Sequence, residues 1–185
     1  EKNALSVLYL SQGIPLLYSG DEFENSQEGN NNAYCQDNPV GWVNWRKKES
    51  GRELLEFVKK LIAFRKKHPV LSAANPMQMC DYKNVGLPDL SYHGKEAWLL
   101  GFSSASQAVG LLYAGKYALR ADGTFDDNIF IAMNFHVTGK QLAFPKQERK
   151  QKWYRIMDTS VEKNSFLTEE IEEKGKEANL TPQSI

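Results

Sequence analysis

The chain has 185 residues, 41% hydrophobic and 25% charged, which is the balance of an ordinary globular protein and excludes collagen-like, disordered and coiled-coil chains. Its 23 Lys and Arg residues match its 23 Asp and Glu residues, so no net field draws it to a nucleic acid or an anionic membrane, and a neutral or small polar partner fits better. Two cysteines, Cys35 and Cys80, are too few for a disulfide framework and lack the spacing of a zinc site, so free thiols are expected.

No run approaches the roughly 20 apolar residues of a membrane span, and the first residues carry no secretory signal. A chain of this length can bury roughly 70% of its unfolded surface, enough for one good core or two small ones. The locally basic stretch Arg46 to Lys67 and the locally acidic stretch Glu162 to Glu177 read as solvated faces. Glu1 falls inside an expected helix and Ile185 inside an expected strand, the pattern of a piece of a larger protein.

In chain order, Asn3 to Gln12 is apolar nearly all round and stops at Gly13 and Pro15, which predicts a short buried helix. Ile14 to Tyr18 is a continuous apolar run, the pattern of a strand covered on both faces in a parallel sheet. After Ser19-Gly20-Asp21-Glu22-Phe23 come about 25 residues with little periodicity, rich in Asn and Gln, which predict a long functional loop. Ser50 and Glu53 form a capping box for a helix whose apolar residues recur from Leu54 to Phe64. Arg65, Lys66, Lys67 and His68 follow as cations at its negative end, and Pro69 stops it.

Beyond a boundary near Leu71 to Pro76 the period becomes strand-like. Tyr92, Ala97 to Phe102, Val109 to Tyr113, Ile129 to Phe135, Leu142 to Phe144, Trp153 to Met157 and Ser184 to Ile185 read as short strands of a β-sandwich. Trp98, Phe135, Phe144 and Trp153 are expected in its core, with a sugar-stacking platform as the alternative for such aromatics. His93 and His136 have no nucleophile or metal-ligand cluster beside them in sequence and read as structural. Glu169, Glu170, Glu172 and Glu173 read as a solvated helix face.

The long loop reads Gln27-Glu28-Gly29-Asn30-Asn31-Asn32-Ala33-Tyr34-Cys35-Gln36-Asp37-Asn38, with Trp42 and Trp45 after it. Amides, a carboxylate and aromatic rings suit a sugar, whose hydroxyls take directional hydrogen bonds and whose faces stack on flat rings. The competing explanation is local: asparagines make Asx turns and tolerate left-handed backbone.

Ser11 to Phe23, the Gly29 to Asn38 run and Trp42 to Trp45 closely resemble the end of the catalytic barrel of α-amylase-superfamily debranching enzymes. The pattern Gly-Asn-Asn-Asn-x-Tyr-Cys-Gln-Asp-Asn is similar to isoamylases and glycogen-debranching enzymes more than to pullulanases. Ser91 to Trp98 and Ile129 to His136 look more loosely like the sandwich that follows the barrel. The resemblance implies an α/β fragment over residues 1–72, the last strand and helices of a TIM barrel, followed by an all-β sandwich domain over 73–185.

It further implies a retaining hydrolase of α-1,6 branch points in glycogen- or starch-type glucans, with no cofactor and no metal. The carboxylates that carry the chemistry would lie on earlier strands, so this chain alone would hold no catalytic residue and be inactive. Asp21 and Glu22 cannot substitute, because neighbours on an extended segment point in opposite directions. Asp21, Asn30, Asn32, Tyr34 and Asp37 would bind substrate, a branched α-glucan, with neither nucleic acid nor membrane as partner. The orphaned barrel strand would expose unpaired backbone edges and offer a route to self-association. The alternative from another class is a non-catalytic carbohydrate-binding or structural module.

Overall fold

A computed structural model of the chain describes residues 1–101, 107–148 and 151–185. Three helices come first, α1 (Lys2–Leu10), α2 (Lys47–Ser50) and α3 (Arg52–Lys67). Seven strands follow: β1 (Leu90–His93), β2 (Ala108–Tyr113), β3 (Ile129–Asn134), β4 (Lys140–Ala143), β5 (Trp153–Met157), β6 (Phe166–Glu173) and β7 (Glu177–Leu180). All pairings are antiparallel, in one three-stranded sheet, β1-β2-β3, and two ribbons, β4-β7 and β5-β6.

The helical spacing of Leu54, Phe57, Val58 and Leu61 gives α3 one apolar face, which buries against Leu5, Tyr9 and Leu10 of α1. Arg65 lies on that same face. Its Nη1 donates to the carbonyls of Tyr9 at 2.7 Å and Ser11 at 2.6 Å, and its Nη2 to that of Gly13 at 2.5 Å. A cation thus closes the negative end of α1, where helix carbonyls have no partner of their own.

The three-stranded sheet is covered on both sides. Leu90, Tyr113 and Ile131 share one face and join the core built by α1 and α3. Leu112 and Phe130 pair across the other face, which carries an aromatic cluster of Phe130, Phe144 and Trp153 with ring centres 5.4–5.8 Å apart. Gly110 stands opposite His93, and any side chain there would overlap the Phe130 ring. The cluster therefore requires glycine at this register position.

Buried carboxylates join the helical and β parts. Asp126 accepts from His68 Nδ1 at 2.7 Å, the Val70 N–H at 3.1 Å and its neighbour Asp127 N–H at 2.8 Å, and pairs with Arg120 Nη2 at 3.2 Å. Asp89 accepts the N–H groups of Gln78, Met79 and Leu90, each at 2.8 Å, and so fixes the entry into β1.

Several expectations are corrected. Ile14 to Tyr18 is not a strand: it pairs with no strand among the described residues, and Ile14 and Leu16 are 97% and 88% exposed. The apolar run has the composition of a covered strand without neighbours to cover it. Ser50 does not cap α3; it ends α2, with its hydroxyl on the Lys47 carbonyl, while Gly51 takes the N-cap position. His68, expected as a solvated end of α3, is buried with its Nδ1 2.7 Å from Asp126 Oδ1.

The segment Ala97 to Gly101 forms a turn rather than a strand, with Phe102 outside the described residues. Trp98 and Phe135 are substantially exposed, while Phe144 and Trp153 do pack together. Glu169 to Glu173 lie on β6 and not on a helix. The ladder with β5 overrides the helical preference of glutamate, with Arg155 on β5 pairing Glu173 at 2.7 Å and Lys152, just before that strand, pairing Glu172 at 2.9 Å. Ser184 makes only an isolated bridge to Asn134.

Asp126→Ala leaves several buried donors and the Arg120 charge without an acceptor. It should cost about 3–5 kcal/mol, the range for breaking a buried ion pair. Urea denaturation measures it, and an unchanged midpoint would mean that this carboxylate does not join the two parts.

Candidate functional site

The long loop stands on a clamped base. Gly20 turns left-handed (φ 98°), a conformation natural to glycine, and its N–H donates to Glu22 Oε2 at 2.8 Å. The short 3-10 turn Asp21–Phe23 then buries the Phe23 ring 5.8 Å from that of Trp45 at the far end of the loop. Gly51, at the start of α3, lies so close to Phe23 that a Cβ would fall 2.8 Å from its backbone. Lys47 Nζ reaches the Glu24 carbonyl at 3.0 Å, and the Asn44 N–H reaches Asn25 Oδ1 at 3.3 Å. With both ends held together, the intervening chain projects as a compact Ω-type loop.

At its tip, asparagines organise the backbone. Asn30 Oδ1 accepts the Asn32 N–H at 2.9 Å, Asn32 Oδ1 the Tyr34 N–H at 3.4 Å, and Asn38 Oδ1 the Val40 N–H at 3.0 Å. These are Asx turns. Gln36 ties the tip across, taking Asn30 Nδ2 at 3.1 Å and donating to the Asn32 carbonyl at 3.4 Å. Asp37 Oδ1 accepts the Trp42 indole N–H at 3.0 Å.

The structure therefore brings Asn30, Asn32 and Tyr34 into one hydrogen-bonded tip and places Asp37 with Trp42. Asp21 sits apart at the base, with no hydrogen bond to the others among the described residues. The outward groups are the Tyr34 ring, 91% exposed, the exposed Trp42 ring, the Asn32 amide nitrogen and the second Asp37 oxygen. Partial burial, then the charges of Glu22 and Glu1, push the Asp21 carboxyl above its ordinary range. Gln36 and Trp42 lie outside the set expected to bind substrate, yet Gln36 ties the tip and Trp42 holds Asp37. Their signal is spacing: an amide four residues after Asn32, and an indole five residues after Asp37, each within reach across a tight turn.

Two other clusters are spent on structure. His68, Asp126 and Asp127 offer ligand atoms within 4.8 Å of one another, but the Arg120 guanidinium pairs with both aspartates and supplies the positive charge a metal would bring. Ser91 Oγ lies 2.9 Å from His93 Nε2, the outline of a nucleophile and base. The Trp98 N–H, however, donates to His93 Nδ1 at 2.9 Å, so Nε2 carries the proton and donates to Ser91. In that tautomer the imidazole cannot take the serine's proton.

Burial pushes the His93 pKa down and keeps the folded-state ring neutral. The unfolded chain then binds the extra proton as pH falls through about 6.5. Stability from this group is full above that pH and declines below it. Urea midpoints measured from about pH 7 to about pH 5 should fall more steeply for the wild type than for His93→Gln, and parallel slopes would refute the assignment.

No family model matches the chain. Over 150 residues it is 37% identical to a glycogen debranching enzyme of Enterobacter sp. (strain 638), an alignment covering 71% of this chain and 22% of that protein. Over 166 residues it is 30% identical to an isoamylase of Flavobacterium sp, covering 86% of this chain and 21% of that one. The crystal structure of pullulanase type I from Bacillus subtilis str. 168, complexed with maltose, superposes with a TM-score of 0.69 at 17% identity, covering 99% of this chain and 22% of that one. That last likeness is one of fold. The chain spans about a fifth of the length of these curated relatives.

Proposed function

We propose that this chain, which belongs to the family 13 glycoside hydrolase debranching enzymes, closes the catalytic barrel of such an enzyme and supplies the floor and one wall of its glucan cleft. Residues 1–72 are then the end of the barrel and residues 73–185 the sandwich that supports it. The observation carrying this reading is the loop tip: an exposed Tyr34 ring on a backbone ordered by Asn32 and an exposed Trp42 ring bonded to the Asp37 carboxylate, on a base clamped by Phe23, Trp45 and Gly51. Flat rings and fixed polar groups are what a pyranose chain needs.

The parent enzyme would cleave α-1,6 branch points of glycogen- or starch-type glucans with retention. An acid protonates the departing sugar oxygen, a carboxylate attacks the anomeric carbon, and water releases the glycosyl-enzyme. Such a pair of carboxyl groups stands about 5 Å apart across the bond. In this chain Glu22 is turned back onto the Gly20 N–H, engaged within the turn and not set across a cleft from Asp21. This chain therefore contributes binding and not the covalent step, and a non-catalytic glucan-binding module describes it in isolation.

The purified chain should release no reducing ends from a branched glucan. In the full-length enzyme, Tyr34→Ala and Asn32→Ala should each lose about 1–3 kcal/mol of transition-state binding, read as kcat/KM. Hydrolysis by the chain alone would overturn the assignment of the chemistry elsewhere, and wild-type kcat/KM in both variants would reduce the loop to scaffolding.

Exposure alternates over Ile14, Leu16 and Tyr18, with Pro15 and Leu17 half-buried between them, the period of an extended segment. In the parent such a row of side chains would face the packed interior or the helix layer of the barrel. In the isolated chain it is the route to self-association. Light scattering over a concentration series should show oligomers that Leu16→Lys abolishes, and a wild type that stays monomeric would refute this.

A further inference from the structure

Two strands in the β part face each other across a slot. Among the described residues β3 pairs only with β2 in its sheet, and β5 pairs only with β6, so each has one open edge. Between those edges runs a groove with about 910 Å³ of space free of protein atoms, part of it open to solvent. Every residue of 129–132 lines one wall and every residue of 153–158 the other. Successive residues of a strand point to opposite faces, so a wall made of all of them is the backbone edge.

The bonding on β3 shows which groups point into the slot. The Phe135 N–H donates to the Gln107 carbonyl at 2.7 Å, on the β2 side. On the other side the Asn134 N–H donates to the Ser184 carbonyl at 2.8 Å, and the Ser184 N–H to the Asn134 carbonyl at 3.0 Å. Alternation along β3 therefore turns the N–H and C=O groups of Ala132 and Phe130 into the slot, where no backbone group among the described residues meets them. From the opposite wall the Thr159 N–H donates to the Ile185 carbonyl at 2.9 Å, and the Ile185 N–H to Thr159 Oγ1 at 2.8 Å. Ser184 and Ile185 thus fill one end of the slot as a strand would, bonded to β3 on one side and to the residue row of β5 on the other. At that end the slot is one strand wide.

Both faces of the slot are apolar. Leu10, Phe64 and Phe166 of the helical core lie on one side, and the Phe130, Phe144 and Trp153 cluster on the other. The charges in the lining bond to one another, Arg155 to Glu173 at 2.7 Å and to Asp158 at 3.1 Å. A strand lying here is covered on both faces, which selects apolar residues at every position. Ile185 already obeys this, since it is buried in the helical core.

We propose that this slot is a strand-acceptor site whose occupant is one extended apolar segment, carried on the same chain in line with Ser184 and Ile185. The antiparallel bridge of Ser184 to Asn134 sets the register. Ile185 stands opposite Met133, and four further residues reach Ile129, the start of β3. The first and third of these bond to Ala132 and Phe130, and the second and fourth face β5. Trp153 lies beside Phe130, with ring centroids 5.8 Å apart, and Thr159 beside Ile185, so β5 runs in the direction of β3 and the added strand is antiparallel to both. Filling the slot joins β1-β2-β3 to β5-β6 and gives the inward N–H and C=O groups partners. Continuity with Ser184 and Ile185 selects this occupant over a separate peptide or a second copy, either of which would have to stop against Ile185. The loop residues and the glucan reading play no part in this assignment.

The test appends Val-Val-Val-Val-Lys-Lys to Ile185 in a Leu16→Lys background, which removes association through residues 14–18, and follows amide hydrogen exchange and thermal unfolding. In the unextended chain the Phe130 and Ala132 amides should exchange about tenfold or more faster than those of Ile129 and Ile131, which bond to β2. The extension should slow Phe130 and Ala132 by about tenfold or more and raise the melting temperature. Pro-Val-Pro-Val-Lys-Lys is equally apolar but lacks the N–H groups that face β3, and should do neither.

Phe130 and Ala132 amides as slow as Ile131 in the unextended monomer would mean that the slot is closed, and the proposal fails. Equal protection by the proline extension would show apolar filling in place of strand pairing, which also overturns it. Protection that grows with concentration of the unextended chain gives the edge to a second copy. Protection by a separate Val-Val-Val-Val-Lys-Lys peptide and not by the extension gives it to a partner, and either result refutes the same-chain occupant.

Discussion

The site depends on how α3 is held at its two ends. At its C-terminus, His68 and Val70 are fixed by the Asp126 carboxylate, which is itself held by Arg120 from the β part. At its N-terminus, Gly51 touches the Phe23 backbone and so defines where the base of the long loop sits. A buried carboxylate that keeps several donors is costly to form and costlier to break. The loop's position is therefore set by an ion pair at the opposite end of a 16-residue helix. Arg65 adds a second tie on the same helix, because its guanidinium takes the last carbonyls of α1 and with them the start of the exposed segment from Gly13.

Helix α3 was legible because its stripe of Leu54, Phe57, Val58 and Leu61 repeats at helical spacing. The strands β2, β3 and β5 were legible because their apolar runs are bounded by Gly, Asn and Asp signals. Ile14 to Tyr18 was misread because a continuous apolar run reports that a segment is suited to burial and not that anything buries it. Glu169 to Glu173 were misread because local preference favours a helix, while the pairing with β5, and the ion pairs of Glu172 with Lys152 and Glu173 with Arg155 that accompany it, join residues some 20 apart in sequence. Trp98 was misread on hydrophobicity alone, for its exposure follows from a backbone turn that hydropathy does not encode.

The long loop joins two explanations that composition sets against each other. Its asparagine oxygens are occupied by backbone N–H groups two residues on, as the turn explanation requires. Those bonds are also what leaves Tyr34 and Trp42 facing outward at fixed places. A loop that orders itself before meeting a ligand loses less conformational entropy on binding, and affinity gains accordingly. Asx turns thus order the loop in advance for the glucan-binding role proposed for it. They also make Asn30 a positioning residue, since both its oxygen and its nitrogen are engaged inside the loop.

With 23 cations against 23 anions, the chain has little long-range field, so whatever meets the loop must be held by short-range contacts. The exposed rings of Tyr34 and Trp42 and the fixed amides of the tip are contacts of that kind, and none of them depends on net charge.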